Sequence, residues 1–537
     1  MTNRLYYGDN LDVLRDRIAD GSVDLVYLDP PFNSQASYNV LFHAPTGEGS
    51  KAQIEAFEDT WHWNEAAERA FDGVMTSGNT DAAEMLRAMR SFLKENDVMA
   101  YLCMMTVRLI ELNRVLKNTG SIYLHCDPNA SHYLKIILDS IFNPKYFLAE
   151  IVWKRTNARG TKGRWPWLHD SILVYSKSDS FIFNPILVKA EITKLPHTLI
   201  AGPNGAKYQT YELTGAGTRQ GETGRPWHGF DPTKLGRHWG NLHAQMDAWD
   251  ADGLIHWPKE GGFPRRRAAE PFDFNSRTVT VGDVWSDIDR INQSANERLG
   301  YPTQKPVALL ERILLASSNP GDVVLDPFCG CGTTIHAAQR LGRRWIGIDV
   351  THLAVSLIEK RLNDAFPGIR YEVHGTPKDV DGAAALAAAD KYQFQWWAVS
   401  LVDAVPYGGK RKGADGGIDG LIYFKPDGRT TEKAIVSVKG GTNVSVAMIR
   451  DLGHVVEREG AKMGVFLTLA PPTGPMLTEA TKAGFYETAF GTFPRLQIVT
   501  VADLFQGKGP RLPPRDAKSF RRAAKEDQSL ERQTPLL

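Results

Sequence analysis

The stretch Leu325-Asp326-Pro327-Phe328-Cys329-Gly330-Cys331-Gly332-Thr333-Thr334 limits the possible folds more than any other part of the chain. An apolar run ends in an acid, passes through a glycine-rich turn and opens a helix from Thr333 to Leu341. That order sets a loop at the carboxyl end of a buried strand. In α/β folds a ligand binds there, at the positive end of the following helix. The next strand, Trp345 to Ile348, ends in Asp349. A carboxylate about 20 residues beyond such a loop suits ribose hydroxyls. The spacing is neither GxGxxG nor GxxxxGK[ST], so the loop by itself also fits a tight turn with structural glycines.

The same alternation opens the chain. Leu5 to Tyr7 reads as a strand stopped by Gly8-Asp9, and Leu11, Leu14 and Ile18 recur at helical spacing. Val23 to Leu28 is a mostly apolar run, as expected of a strand buried on both faces of a parallel sheet. It ends in Asp29-Pro30-Pro31-Phe32, where the prolines cannot continue the ladder. They also remove two N–H donors and leave their carbonyls as acceptors. A carboxylate, free carbonyls and an aromatic face then meet at one strand end, an array suited to a planar base with an exocyclic amine. A simple turn is the plain alternative. A polar stretch around Gly47, Gly49 and Ser50 reads as a surface insertion. Helices are expected from Asp81 to Leu116 and from Ala130 to Phe142, with strands at Gly120 to Cys126, Ile151 to Trp153 and Ile172 to Tyr175.

Composition narrows the class. The 537 residues are too many for one ordinary domain, and 42% hydrophobic with 23% charged residues fits a globular enzyme. A net charge of +1 excludes a simple polybasic nucleic-acid binder but not a local basic groove. Four cysteines, Cys103, Cys126, Cys329 and Cys331, make no disulfide scaffold and fit a reducing cytosol. No run approaches the roughly 20 apolar residues of a membrane span. A cytoplasmic protein is expected, in a prokaryotic or phage-infected cell, with no membrane partner.

Taken together, the two strand ends resemble the amino-methylating DNA methyltransferases that act on adenine N6 or cytosine N4. Asp29-Pro30-Pro31-Phe32 matches their catalytic D-P-P-[YF] motif, and Asp326 to Gly332 matches their S-adenosylmethionine loop. Tyr301-Pro302-Thr303-Gln304-Lys305-Pro306 matches the element before that loop, and Gly8-Asp9-Asn10 a strand-end acid that contacts the cofactor adenine. The catalytic half comes first, the family's beta order. The resemblance spans roughly residues 1 to 365. It implies a Rossmann-like α/β methyltransferase that flips a base from double-stranded DNA. Asp29, Pro30, Pro31 and Phe32 would be catalytic. Asp9, Asn10, Lys305, Pro306, Asp326, Phe328, Gly330, Gly332, Thr333 and Asp349 would bind S-adenosyl-L-methionine. Asp at the first motif position favours adenine N6; cytosine N4 is the alternative. Trp153 or Trp165 would help line the base pocket. No Pro-Cys pair occurs, against cytosine-C5 chemistry. His125-Cys126-Asp127 reads as structural.

Five segments are expected: a catalytic half at 1–179, a target-recognition insert at 180–300, a cofactor half at 301–372, a further α/β domain at 373–505 and a basic flexible tail at 506–537. The insert mixes bases and aromatics in Arg225-Pro226-Trp227-His228, Arg237-His238-Trp239 and Arg265-Arg266-Arg267. Such clusters suit phosphates and displaced bases, or else a small tryptophan core. The 373–505 segment resembles the Mrr-type restriction-endonuclease fold, with Asp419 and Lys439 in the metal-acid and lysine positions. Ser437 stands where Glu or Gln is usual, so Mg²⁺, with Asp419 as its ligand, belongs only to an active nuclease. Asp415 or Gln395 would have to supply the missing oxygen. Otherwise the domain grips DNA through Lys439 and Arg450. A fused restriction–modification enzyme is the alternative function, and a homodimer or a separate restriction subunit the expected partner.

Overall fold

The structure is a computed structural model. It describes residues 2–31, 36–43, 49–59, 62–157, 163, 165–189, 199–201, 206–258, 262–272, 278–292, 295, 297–299, 301, 303–407, 416–515 and 526. Phe32, Pro302 and Asp415 lie outside them.

All six residues of the strand Val23–Leu28 are buried, because it has a parallel neighbour on each side and helices over both faces. Its partners are Leu116–Cys126, in the register Val26↔Ile122, and Val323–Asp326, in the register Val26↔Leu325. The two motif strands are therefore adjacent, although almost 300 residues separate them in sequence. Arg344–Asp349, Arg4–Tyr7 and Glu372–His374 extend the sheet on the cofactor side, all parallel. On the other side His169–Ser176 pairs antiparallel with Leu116–Cys126 and with Phe147–Lys154. Val284–Trp285 closes the nine-stranded sheet.

Local sequence explains the helices that matter here. Asp9 caps Asn10–Arg17, accepting the Leu11 N–H at 2.8 Å. The long helix Asp97–Val115 buries Leu102, Leu109 and Leu112 against the sheet. Two elements differ from expectation. The stretch read as a surface insertion forms an antiparallel pair, Ala36–His43 with Gly49–Asp59. A helix not expected from the sequence, Glu65–Met75, precedes the long ones.

Residues 187–281 form a compact unit of their own, narrower than the expected 180–300. The flanks belong to the main body: Asn184 N–H donates to Ala316 O at 2.7 Å, and Val284 pairs with Val152. Within the unit, Trp227 and Trp239 are buried with Leu213, Met246 and Ile255. Trp257 stacks on Trp227 at 5.3 Å. Arg266 lies over the Trp249 ring and Arg267 over Tyr208, each at 4.3 Å. Arg237 pairs with Glu212 at 2.7 Å. The basic–aromatic clusters are thus largely a tryptophan core with cations on its rim, since so short a segment has few other apolar residues to bury.

The C-terminal sheet has five strands, Val405–Pro406, Gly420–Phe424, Glu432–Lys439, Met463–Thr468 and Leu496–Thr500, in that order. The first three run antiparallel and the last three parallel. The tail starts differently from expectation. Up to Arg515 it lies along this sheet: Lys425 N–H donates to Pro514 O at 2.8 Å, Arg511 N–H donates to Gln497 at 2.8 Å, and Arg515 pairs with Asp403. Its backbone groups find partners there, so this part is pinned. Glu526 pairs with His336 at 3.0 Å. Among the described residues no helix is long and apolar enough to cross a membrane.

Candidate active site

At the carboxyl edge of the nine-stranded sheet lies a cavity of about 990 Å³. Both motif strand ends open into it. Asp29, Pro30, Pro31, Asp326, Phe328, Gly330 and Asp349 all line it, as do Asp9, Asn10, Thr333 and Lys305.

Asp29 is the most unusual of these groups. Its Oδ2 is paired with the Lys305 ammonium, and both side chains are mostly buried. Its Oδ1 is also buried, with no hydrogen-bond partner among the described residues. A buried acceptor without a donor is costly and is seldom left so without a use. The resemblance gave Lys305 to the cofactor; in the structure its ammonium pairs with the Asp29 carboxylate. Beneath Asp29 the Tyr27 hydroxyl meets His125 Nδ1 at 3.0 Å, and His125 Nε2 meets Asp170 at 3.2 Å. His125 is therefore held by protein partners. Cys126 Sγ donates to Ser171 O at 3.6 Å, and Asp127 caps the helix Pro128–Phe142.

The glycine loop is built from its own polar groups. Asp326 Oδ1 accepts the Phe328 N–H at 3.0 Å, and Asp349 Oδ2 accepts the Gly330 N–H at 2.9 Å. Asp349 Oδ1 takes both the N–H and the hydroxyl of Thr351, each at 2.9 Å. Burial raises Asp326 to about 7 and Asp349 to about 6. A bound cation would offset that cost. Gly330 and Gly332 have φ of +50° and +74°, which only glycine adopts readily.

Several expected site residues are engaged by other parts of the protein. Gly332 is not in the cavity wall: a Cβ there would meet Ile358 at 2.8 Å, so this glycine makes room for a neighbouring helix. Pro306 is buried outside the cavity and begins the helix Val307–Ser317. Asp9 is clamped by Arg108 at 2.9 and 3.0 Å, and Asn10 donates to Pro327 O at 2.8 Å. Arg108 escaped the sequence reading; its one signal is a cation inside the mostly apolar helix Asp97–Val115. Trp153 is buried away from the cavity and donates to Ile288 O at 2.9 Å, while Trp165 is 91% exposed, so neither lines this cavity.

The second candidate site is arranged otherwise. Asp419 is buried beside Ser437, and its Oδ2 accepts the Val438 N–H at 2.6 Å. Among the described residues no group of three or more His, Cys, Asp or Glu side chains is placed to hold a metal ion. The donor set does not fit Mg²⁺, which asks for several oxygen ligands. Arg450, expected to meet phosphate, pairs with Glu479 at 3.1 Å.

Comparison with known proteins agrees with this division. A DNA methylase family model matches residues 23–360, and a restriction endonuclease model matches residues 386–485. The type II methyltransferase M.EcaI of Enterobacter cloacae is 31% identical over 363 residues, covering 67% of this chain and 69% of that protein. The Mod subunit of the type III restriction-modification enzyme StyLTI of Salmonella typhimurium is 28% identical over 368 residues, 63% of this chain and 50% of that subunit. The DNA adenine methyltransferase YhdJ of Escherichia coli is 46% identical over 99 residues, 18% of this chain and 33% of that enzyme.

Proposed function

The chain belongs to the DNA methylase family, and we propose that it methylates adenine N6 in double-stranded DNA, on a base flipped out of the helix. The observation that carries this reading is the buried Oδ1 of Asp29, without a hydrogen-bond partner among the described residues, in the same cavity as the glycine loop. When bound, S-adenosylmethionine supplies an electrophilic methyl group on sulfonium sulfur. Asp349 would meet its ribose hydroxyls, and Phe328 and Gly330 would lie along it.

The protein's share of the chemistry follows from Asp29. The lone pair of an aromatic amine is delocalised into the ring. Oδ1 of Asp29 would accept one amine proton, and the Pro30 carbonyl the other. This draws the pair back onto nitrogen, so catalysis rests on positioning and electrostatics. Lys305 occupies Oδ2 of Asp29, leaving Oδ1 to face the amine. As nitrogen gains the methyl it must lose a proton, and Oδ1 is the acceptor within reach. Phe32 would stack on the base, and Thr333 would steady the cofactor loop.

Methylated duplex digested to nucleosides and separated by mass spectrometry should contain N6-methyldeoxyadenosine. N4-methyldeoxycytidine in its place would overturn the choice of base. For the Mrr-like segment the proposed role is a DNA grip through Lys439 and nearby cations, supported by the way backbone occupies Asp419. Plasmid nicking with Mg²⁺ that is lost in both Asp419→Ala and Lys439→Ala would make the chain a restriction–modification enzyme instead. The cytoplasm of a prokaryotic or phage-infected cell is the proposed setting. A second copy or a separate restriction subunit is the partner to seek by size-exclusion chromatography.

A further inference from the structure

The helix Lys391–Leu401 belongs to the nuclease-like segment, yet one side of it meets the cofactor loops. Gln393 Oε1 accepts the His352 N–H at 3.2 Å. His352 is the first residue of the helix His352–Ala365, and N–H groups at a helix start need partners from outside the helix. It follows Thr351, which holds Asp349 through both its N–H and its hydroxyl. The His352 ring stacks on Tyr7, with centroids 3.6 Å apart. Tyr7 in turn directly precedes Gly8 and Asp9 of the cavity wall. Burial and the nearby Asp390 carboxylate push the Tyr7 phenol up to about 12. Trp396, three residues on from Gln393 and so on the same side of the helix, is buried in one apolar cluster with Tyr301, Cys331 and Leu353. Tyr301 is the ring that backs Gly330: a Cβ on that glycine would meet it at 3.2 Å.

Other residues of the helix lie under the nuclease-like strands. A Cβ on Gly440 would meet Phe394 at 2.8 Å, and one on Gly420 would meet Val399 at 3.0 Å. These glycines directly follow Lys439 and Asp419. The helix is thus packed without slack against the cofactor loops and against the glycines that follow both candidate nuclease residues. Close-packed interiors transmit small displacements instead of absorbing them.

We infer that Gln393 and Trp396, contributed by the nuclease-like segment, are positioning residues for the S-adenosylmethionine site, and that the helix Lys391–Leu401 couples that site to the strand ends bearing Asp419 and Lys439. The inference rests on reading the cavity as the cofactor site. Coupling between binding sites is reciprocal, so occupancy of either one biases the other.

The test uses the full chain and S-adenosylmethionine, titrated by calorimetry. The wild type should bind. Gln393→Ala should bind about fivefold more weakly or worse, and Trp396→Leu at least as weakly. Gln393→Glu keeps an acceptor for the His352 N–H and should stay near wild type. In Gln393→Ala the KM for S-adenosylmethionine should rise more than kcat falls, whereas a purely structural role would lower thermal stability and leave KM alone. Hydrogen exchange adds an independent readout: S-adenosylmethionine should slow amide exchange in Lys391–Leu401 of the wild type and do so less in Gln393→Ala. If the wild type binds, and folded Gln393→Ala and Trp396→Leu bind equally well, the inference is wrong. If the wild type itself does not bind, the cofactor reading fails and the inference with it.

Discussion

Asp29 and Asp419 are both acids at the edge of a buried strand, and they come to opposite ends. Asp29 follows Val23–Leu28 into Pro30-Pro31, which have no N–H to give it. One of its oxygens meets Lys305 and the other meets no donor among the described residues, in a wide cavity. Asp419 precedes Gly420–Phe424 with an ordinary strand beside it, and the Val438 N–H takes up one of its oxygens at 2.6 Å. An acid at a strand end is available to a substrate when neighbouring backbone cannot satisfy it. Proline achieves that at the first site; a complete ladder prevents it at the second.

The comparison is most exposed to Asp29→Ala. Methyl transfer should fall by about 10² or more, while S-adenosylmethionine affinity stays nearly unchanged by calorimetry. Substantial activity in the purified, folded variant would remove the distinction between the two acids. Lys305→Met tests the paired oxygen. Without the ammonium, Asp29 loses the charged partner that holds Oδ2 and orients Oδ1, and the single-turnover rate should drop by roughly tenfold or more. A loss confined to S-adenosylmethionine affinity would return Lys305 to the cofactor.

Titration gives a smaller effect. Asp326 and Asp349 have folded-state values near 7 and 6, raised by burial above the usual carboxylate range. For an acid raised in this way, the folded chain holds its proton more tightly than the unfolded chain. The associated stability is complete below about pH 4 and lost as pH rises through 6 to 7. Without ligand, the melting temperature should therefore decline over that window more in wild type than in Asp326→Asn. The sulfonium cation favours the ionised acids, so its affinity should rise roughly three- to tenfold across the same window. A flat calorimetric profile would place both carboxylates away from the ligand's charge. Asp419→Ala should do least, leaving methylation within about twofold of wild type, because Asp419 reaches the cofactor loops only indirectly, through Gly420 and the helix Lys391–Leu401. A larger effect on methylation would mean that this helix couples the two sites strongly.

The sheet strands and the glycine loop were legible because they are local. Val23–Leu28 is a continuous apolar run, Gly330 and Gly332 mark backbone at positive φ, and Asp349 ends the next strand. Reading was least successful where a residue's partner is remote. Trp165, taken for a pocket residue, is exposed, whereas Trp227 and Trp239, which suited either displaced bases or a small core, pack in a core. An aromatic has the same letter in either place, and only its neighbours decide which face meets water.

Sequence by itself determined the alternation of strands and helices, the two loops with their acids and glycines, and a second α/β segment lacking an acid at Ser437. Periodicity and turn chemistry act over a few residues, so a chain states them directly. Tertiary structure alone decided that Val26 lies against Leu325, that Lys305 reaches Asp29 across 276 positions, that Arg108 clamps Asp9, and that Gln393 caps the helix beside Asp349. Those pairings depend on which surfaces bury one another. A charge or an amide has no partner until packing brings one within hydrogen-bond reach.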